Sequence, residues 1–146
     1  MASSGTAQIT AWVAKTKERI AAVRNESVQR VVEAMQTPVG AGGNMPVDTG
    51  FLRASLVAQI GYGVPPLRER PDSDAKHSWN PVGIQLILAG AEASDTITIA
   101  YSANYARHQE YGSNGRMGRR FVALAAQQWP QIVAEVCREA ESRAGG

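Results

Sequence analysis

Residues 6–35 contain neither glycine nor proline, and no other stretch of the chain restricts the fold as strongly. Apolar side chains recur along it at helical spacing: Ile9, Trp12, Val13, Ile20, Val23, Val28, Val31 and Met35. Lys15, Lys17, Glu18, Arg24, Glu26, Arg30 and Glu33 lie opposite. That alternation at a 3.6-residue period predicts one long amphipathic helix. Thr37-Pro38, followed by Gly40, Gly42, Gly43 and Asn44, stops it and opens a connection.

A second long helix is predicted over 121–143, with Phe121, Leu124, Ala125, Ile132, Val136 and Ala140 on its core side. Pro130 removes one backbone donor inside it, so a kink or restart is expected near 127–129. Asp48 is placed as an N-cap, its carboxylate accepting from backbone amides one turn on, with Pro46 fixing the entry. Phe51, Leu52 and Leu56 then give a short helix over 49–55, and 56–60 reads as extended. Segments 83–89 and 96–101 read as antiparallel strands joined by 92–95, and 104–110 as a short helix ending at Gly112. Between 61 and 81 no periodicity survives, and Pro65, Pro66, Pro71 and Pro81 cluster. A loop of that length in a small domain tends to be functional or mobile. The expected fold class is α+β: a small antiparallel sheet packed by two long helices, with a long Pro-rich loop between strands. One domain over 1–146 is expected, with 61–81 as an extended loop or arm.

Composition narrows the functional classes. Apolar residues make up 44% and charged residues 19%, as in a globular chain that carries its own core. No apolar run is long enough to span a membrane, and the first residues lack the blocks of a signal peptide, so no membrane partner is expected. Cys137 is the single cysteine, which rules out an internal disulfide or a cysteine-cluster metal site and fits synthesis in a reducing cytoplasm. The net charge of +2 is too small to announce a nucleic-acid binder. Charge is nevertheless local: Arg116, Arg119 and Arg120 stand in 113–120 without an acid, whereas 83–112 holds Glu92, Asp95 and Glu110 against Arg107 alone. Gly112, Gly115 and Gly118 make 112–120 read as a flexible loop.

Asp48-Thr49-Gly50 is the signature triplet of aspartic proteases. That chemistry needs two carboxylates sharing a proton, so a single copy would have to act as a homodimer. The flanks disagree, because bulky Phe51 follows the glycine and helices are predicted on both sides, whereas the protease fold is nearly all strand. His77 and His108 lack metal-ligand spacing. Cys137 reads as a small buried residue, and Gly61-Tyr62-Gly63 is not a phosphate loop. No catalytic residue, cofactor site or metal site is assigned, and no enzyme activity is expected.

The longer segment Pro46-Val47-Asp48-Thr49-Gly50-Phe51-Leu52-Arg53-Ala54-Ser55-Leu56 resembles the signature of the tail-completion (neck) proteins of long-tailed double-stranded DNA phages. That family's pattern continues with Tyr-Ala-x-x-x-Glu-x-Gly and a Phe that opens the last helix. Here Tyr105-Ala106-Arg107-His108-Gln109-Glu110-Tyr111-Gly112 and then Phe121 stand in that order. The 61–81 segment is longer than the family's usual connection, and Arg120 occupies a position where proline is common.

The resemblance implies a virion structural protein that completes the head-proximal end of the tail and supports head–tail joining. It implies a ring around the DNA channel, most often hexameric, assembled in the host cytoplasm. The neighbours would be a head–tail connector or stopper ring and a tail terminator or tail tube. A terminator or other ring adaptor is the nearest alternative reading, and a homodimeric protease of phage maturation is the alternative from another class. On the ring reading, Asp48, Arg53, Leu67, Trp79, Tyr105 and Glu110 are expected at subunit or ring interfaces. Arg116, Arg119 and Arg120 are expected to meet DNA phosphates in the lumen or acidic residues of a neighbouring ring. For Asp48 and Arg53 the purely internal alternative, a cap and a solvated cation, stays open.

Overall fold

The structure, a computed structural model, describes residues 4–145. Helix α1 runs Ser4–Gln36, and the short α2, Phe51–Ala54, follows a 3-10 turn at Val39–Ala41. Strand β1, Leu56–Ile60, pairs antiparallel with β2, Ile97–Tyr101, in the register Leu56 opposite Tyr101 and Ile60 opposite Ile97. Helix α3, Val82–Gly90, lies between them in sequence. Helix α4, Ala106–Tyr111, leads into a hairpin of β3, Gly112–Ser113, and β4, Arg116–Met117. Helices α5, Phe121–Ala126, and α6, Trp129–Gly145, complete the described chain.

The fold is α+β, with long N- and C-terminal helices and a two-stranded antiparallel main sheet. The core has two lobes. In the first, Val28, Val32 and Met35 of α1 meet Leu56, Ile84, Leu88 and Ala125. In the second, Met45, Phe51, Leu52, Ala103 and Phe121 pack together, and Tyr101 and Val122 border both. Arg30 of α1 pairs with Glu139 of α6 and with Glu26 one turn back, a link between the two long helices at their surface.

Three expectations are corrected. Segment 83–89 is helix α3, not a strand. Ile84 and Leu88, four residues apart, are its buried positions, while Gln85 and Leu86 face water, so burial follows a helical period. A short apolar run leaves that choice open to sequence reading. Asn80 and Pro81 start the helix: Asn80 Oδ1 accepts from the Val82 amide at 3.0 Å, and the Pro81 carbonyl takes the first helical bond from Gln85 at 3.0 Å. The Pro-rich loop consequently joins β1 to α3 rather than strand to strand.

Asp48 is not an N-cap. Helix α2 begins at Phe51 with Gly50 at the cap position, φ 86°, and no side chain caps it. The nearest substitute is Thr49, whose Oγ1 accepts from the Phe51 amide at 3.4 Å. A Cβ at Gly50 would run into the His77 carbonyl, because the backbone of the 61–81 segment lies directly on this turn. The constraint comes from a distant part of the chain, and local capping rules cannot register it.

The Gly/Arg segment 112–120 is an ordered hairpin, not an open loop. Asn114 and Gly115 both take positive φ, 51° and 78°, which is the type I′ turn that two-residue hairpins favour. Gly118 sits so close to the Glu110 carbonyl and the Tyr111 backbone that no side chain fits. The expected break in the last helix falls at Gln127 and Gln128. Pro130 occupies the first turn of α6, where its missing amide is harmless.

Candidate functional site

The two sequence motifs meet around one cleft. Residues 46–52 form one wall, Tyr105 at the start of α4 and Gln109 within it another, and Arg70 and Arg119 close the rim around a space of about 370 Å³. Phe51 forms the floor: Tyr105 stacks on it at 6.3 Å between centroids, His77 meets it edge-on at 5.4 Å, and the Arg68 guanidinium lies 5.2 Å from its ring centre. Burial raises the Tyr105 phenol above its ordinary range, with the nearby Arg70 charge opposing, so Tyr105 is a hydrogen-bonding hydroxyl there.

The Pro-rich segment supplies Arg70 to the cleft rim and places Arg68 and Lys76 close by. Arg68 N donates to the Ser102 carbonyl at 2.7 Å and its own carbonyl accepts from Asn104 N at 2.9 Å, so this residue extends the chain beside the end of β2. Arg70 donates to the Asp48 carboxylate at 2.7 Å, Lys76 Nζ reaches the Asp48 carbonyl at 3.1 Å, and His77 N donates to the Thr49 carbonyl at 2.7 Å. The Asp48 and Arg70 side chains are 76% and 40% exposed, so the pair contributes at most about 1 kcal/mol. Its effect is positional: Asp48 is committed to the loop that crosses it.

The remaining predicted interface residues separate. Asp48, Tyr105 and Arg119 line the cleft together. Arg53 turns away to α1, where its Nε donates to the Gln36 carbonyl at 2.9 Å, closing the helix end. Gln36 answers through Nε2 to the Arg53 carbonyl at 2.8 Å, and its Oε1 accepts from the Tyr101 hydroxyl at 2.7 Å. Trp79 is half-buried against the first core lobe beneath the Arg53 guanidinium, 5.3 Å from its ring centre. It belongs to the body and is not a free anchor on an arm. Leu67 remains 66% exposed, beside exposed Tyr62 and Val64.

Glu110 is buried, and both its carboxylate oxygens are taken. Oε1 accepts from the Val122 amide at 2.9 Å and Oε2 from the Ala123 amide at 2.8 Å. A carboxylate one helix away thus serves the orphan amides of α5, whose own N-cap residue, Arg120, sits at φ 51° and provides no side-chain cap. Arg116, Arg119 and Arg120 all expose their side chains, and the Arg119 and Arg120 amides tie the strand back to the Gln109 and Glu110 carbonyls at 2.7 and 3.1 Å. Arg68, Arg70 and Lys76 went unread in the sequence, since alternating charges beside Pro71 look like a solvated loop.

Among the described residues no group of three His, Cys, Asp or Glu side chains is arranged to hold a metal ion, and no helix is long and apolar enough to cross a membrane. The chain matches no family model, no curated protein and no solved structure.

Proposed function

We propose that this protein is a structural subunit of the neck of a long-tailed phage, completing the head-proximal end of the tail within a ring around the DNA channel. One observation carries the reading. The segments that resemble the tail-completion family, far apart in sequence, are a single packing unit. Phe51 stacks on Tyr105, Leu52 and Phe121 share a core lobe, and Glu110 caps the helix that Phe121 opens. The residues of the resembling segments therefore hold this fold together, which supports reading the two motifs as one signature.

The triplet at 48–50 fits that view. Gly50 supplies a left-handed turn under the His77 backbone, and Asp48 pairs with Arg70. On this reading the ring, with a hexamer as the expected count, sits between a connector or stopper on the head side and the terminator or tube on the tail side. The arginines of the 112–120 hairpin face lumen phosphates or a neighbouring ring.

Heads and tails made without this chain test the reading. They should accumulate apart, and the purified protein should restore joining and appear as a ring on the tail end. Normal joining without the protein overturns the proposal. Tails of uncontrolled length in its absence would instead mark a terminator.

A further inference from the structure

The start of α1 projects beyond the body, and only from Lys17 to Ala21 does it border the Ala91–Ser94 turn of the same copy. Residues 5–15 are all exposed, and Ile9, Trp12, Val13 and Ile20 keep 66, 67, 38 and 54% of their surface in water. Together they form an exposed apolar patch on the order of a few hundred Å², the scale of the largest patch a monomer normally carries. Ile9, Val13 and Ile20 fall on one seam, interrupted at Thr16, whose hydroxyl donates to the Trp12 carbonyl, with Trp12 on its shoulder.

A second unpartnered face lies on α3. Val82, Gly83, Gln85, Leu86, Ala89 and Gly90 are exposed and none is charged, with Val82 and Leu86 at 48 and 68%. The glycines and alanine allow another helix to approach closely. Charges around the two faces are opposite. Residues 5–20 hold Lys15, Lys17 and Arg19 against Glu18, net +2, whereas 78–106 holds Glu92 and Asp95 and no lysine or arginine, net −2.

The arm cannot reach its own α3. Arg24, at the arm's root, donates to the carbonyls of Glu92 and Ala91, and Asn25 Nδ2 donates to the Leu88 carbonyl at 3.1 Å. Helix α1 is thereby clamped to α3, and without glycine or proline in 6–35 it has no hinge for folding back. Pairing two arms along their seams would set basic flanks against basic flanks, which is unfavourable.

We infer that the free arm of α1 in one copy docks across the uncharged face of α3 in the next, with Trp12 as its aromatic anchor and its net positive flank, Lys15 and Arg19 included, against a stretch that carries net negative charge. The contact is heterologous, one face of each copy meeting a different face of the next, which is the kind that closes into a ring. It needs only that copies meet and does not depend on the neck reading. A stable interface covers about 800 Å² on each partner, so most of the arm must lie on the neighbour.

The test uses the full chain with Cys137→Ser as background. Ile9→Asp with Trp12→Asp, and separately Leu86→Glu, should each raise the subunit dissociation constant at least tenfold in light scattering while circular dichroism keeps the folded signal. Chains carrying Trp12→Cys mixed with chains carrying Leu86→Cys should be joined by a short bis-maleimide, and neither should join to itself. Efficient Trp12→Cys self-joining overturns the inference in favour of paired arms. A wild-type chain that stays monomeric, or whose arm instead binds anionic vesicles, overturns it as well. Rings that persist in all the variants overturn it while leaving the neck proposal standing.

Discussion

Glu110 shows how one side chain can carry a motif. Its two oxygens accept from consecutive amides of α5, so a neutral amide in its place loses an acceptor and the favourable charge at the helix end. Glu110→Gln should cost about 1–3 kcal/mol in urea unfolding, and Glu110→Ala at least as much; an unchanged midpoint would remove the cap from the account. Tyr101 gives a pH dependence. Burial raises its phenol above the ordinary tyrosine range, with the Glu110 charge adding and Arg53 opposing. A folded pKa above the unfolded one means that the stability is complete below about pH 10 and declines as pH rises beyond it. Tyr101→Phe should flatten much of that alkaline decline, Tyr105 contributing the remainder, at a cost near neutrality of about 1 kcal/mol for the lost bond to Gln36. An alkaline limb as steep as wild type would count against the assignment. At this scale the sequence was a partial guide. Phe51, Leu52 and Phe121 were legible as core because apolar spacing is local. The roles of Asp48 and Arg53 were not, because Arg70 and Lys76 meet the one and Gln36 the other only in the folded chain.

At the scale of elements, both end helices and the break before Pro130 were readable, since long periodic runs and proline act through neighbouring residues. Helix α3 was misread because its apolar run suits a strand equally well until α1 and β1 choose which residues are covered. The hairpin was missed although Asn114-Gly115 signals it, because strands two residues long leave no periodicity around the turn. Its glycines separate two costs. Gly115 has open space and only an unfavourable φ, so Gly115→Ala should cost about 1 kcal/mol. Gly118 has ordinary space for no side chain at all, so Gly118→Ala should cost more than that, upward of about 2 kcal/mol by thermal unfolding. The reverse order would mean that the hairpin's close approach to α4 does not constrain it.

Across the whole molecule, order is unevenly distributed: two joined core lobes hold the body, and α1 continues well past it. On the neck reading, Arg116, Arg119 and Arg120 replaced together by Gln should leave thermal unfolding within about 0.5 kcal/mol of wild type, since all three side chains are exposed. The same variant should abolish head–tail joining in a reconstitution assay, and full joining activity would reassign the hairpin to plain surface. The bare half of α1 has a further consequence. A helical segment of about 15 residues without tertiary packing is marginal in water, and this one places Lys15, Lys17 and Arg19 where a trypsin-like protease cuts. A free subunit is therefore clippable at its most projecting part, and a neighbour lying over the arm removes that vulnerability. If arms dock as inferred, the fraction of chains shortened by added trypsin should fall as subunit concentration rises.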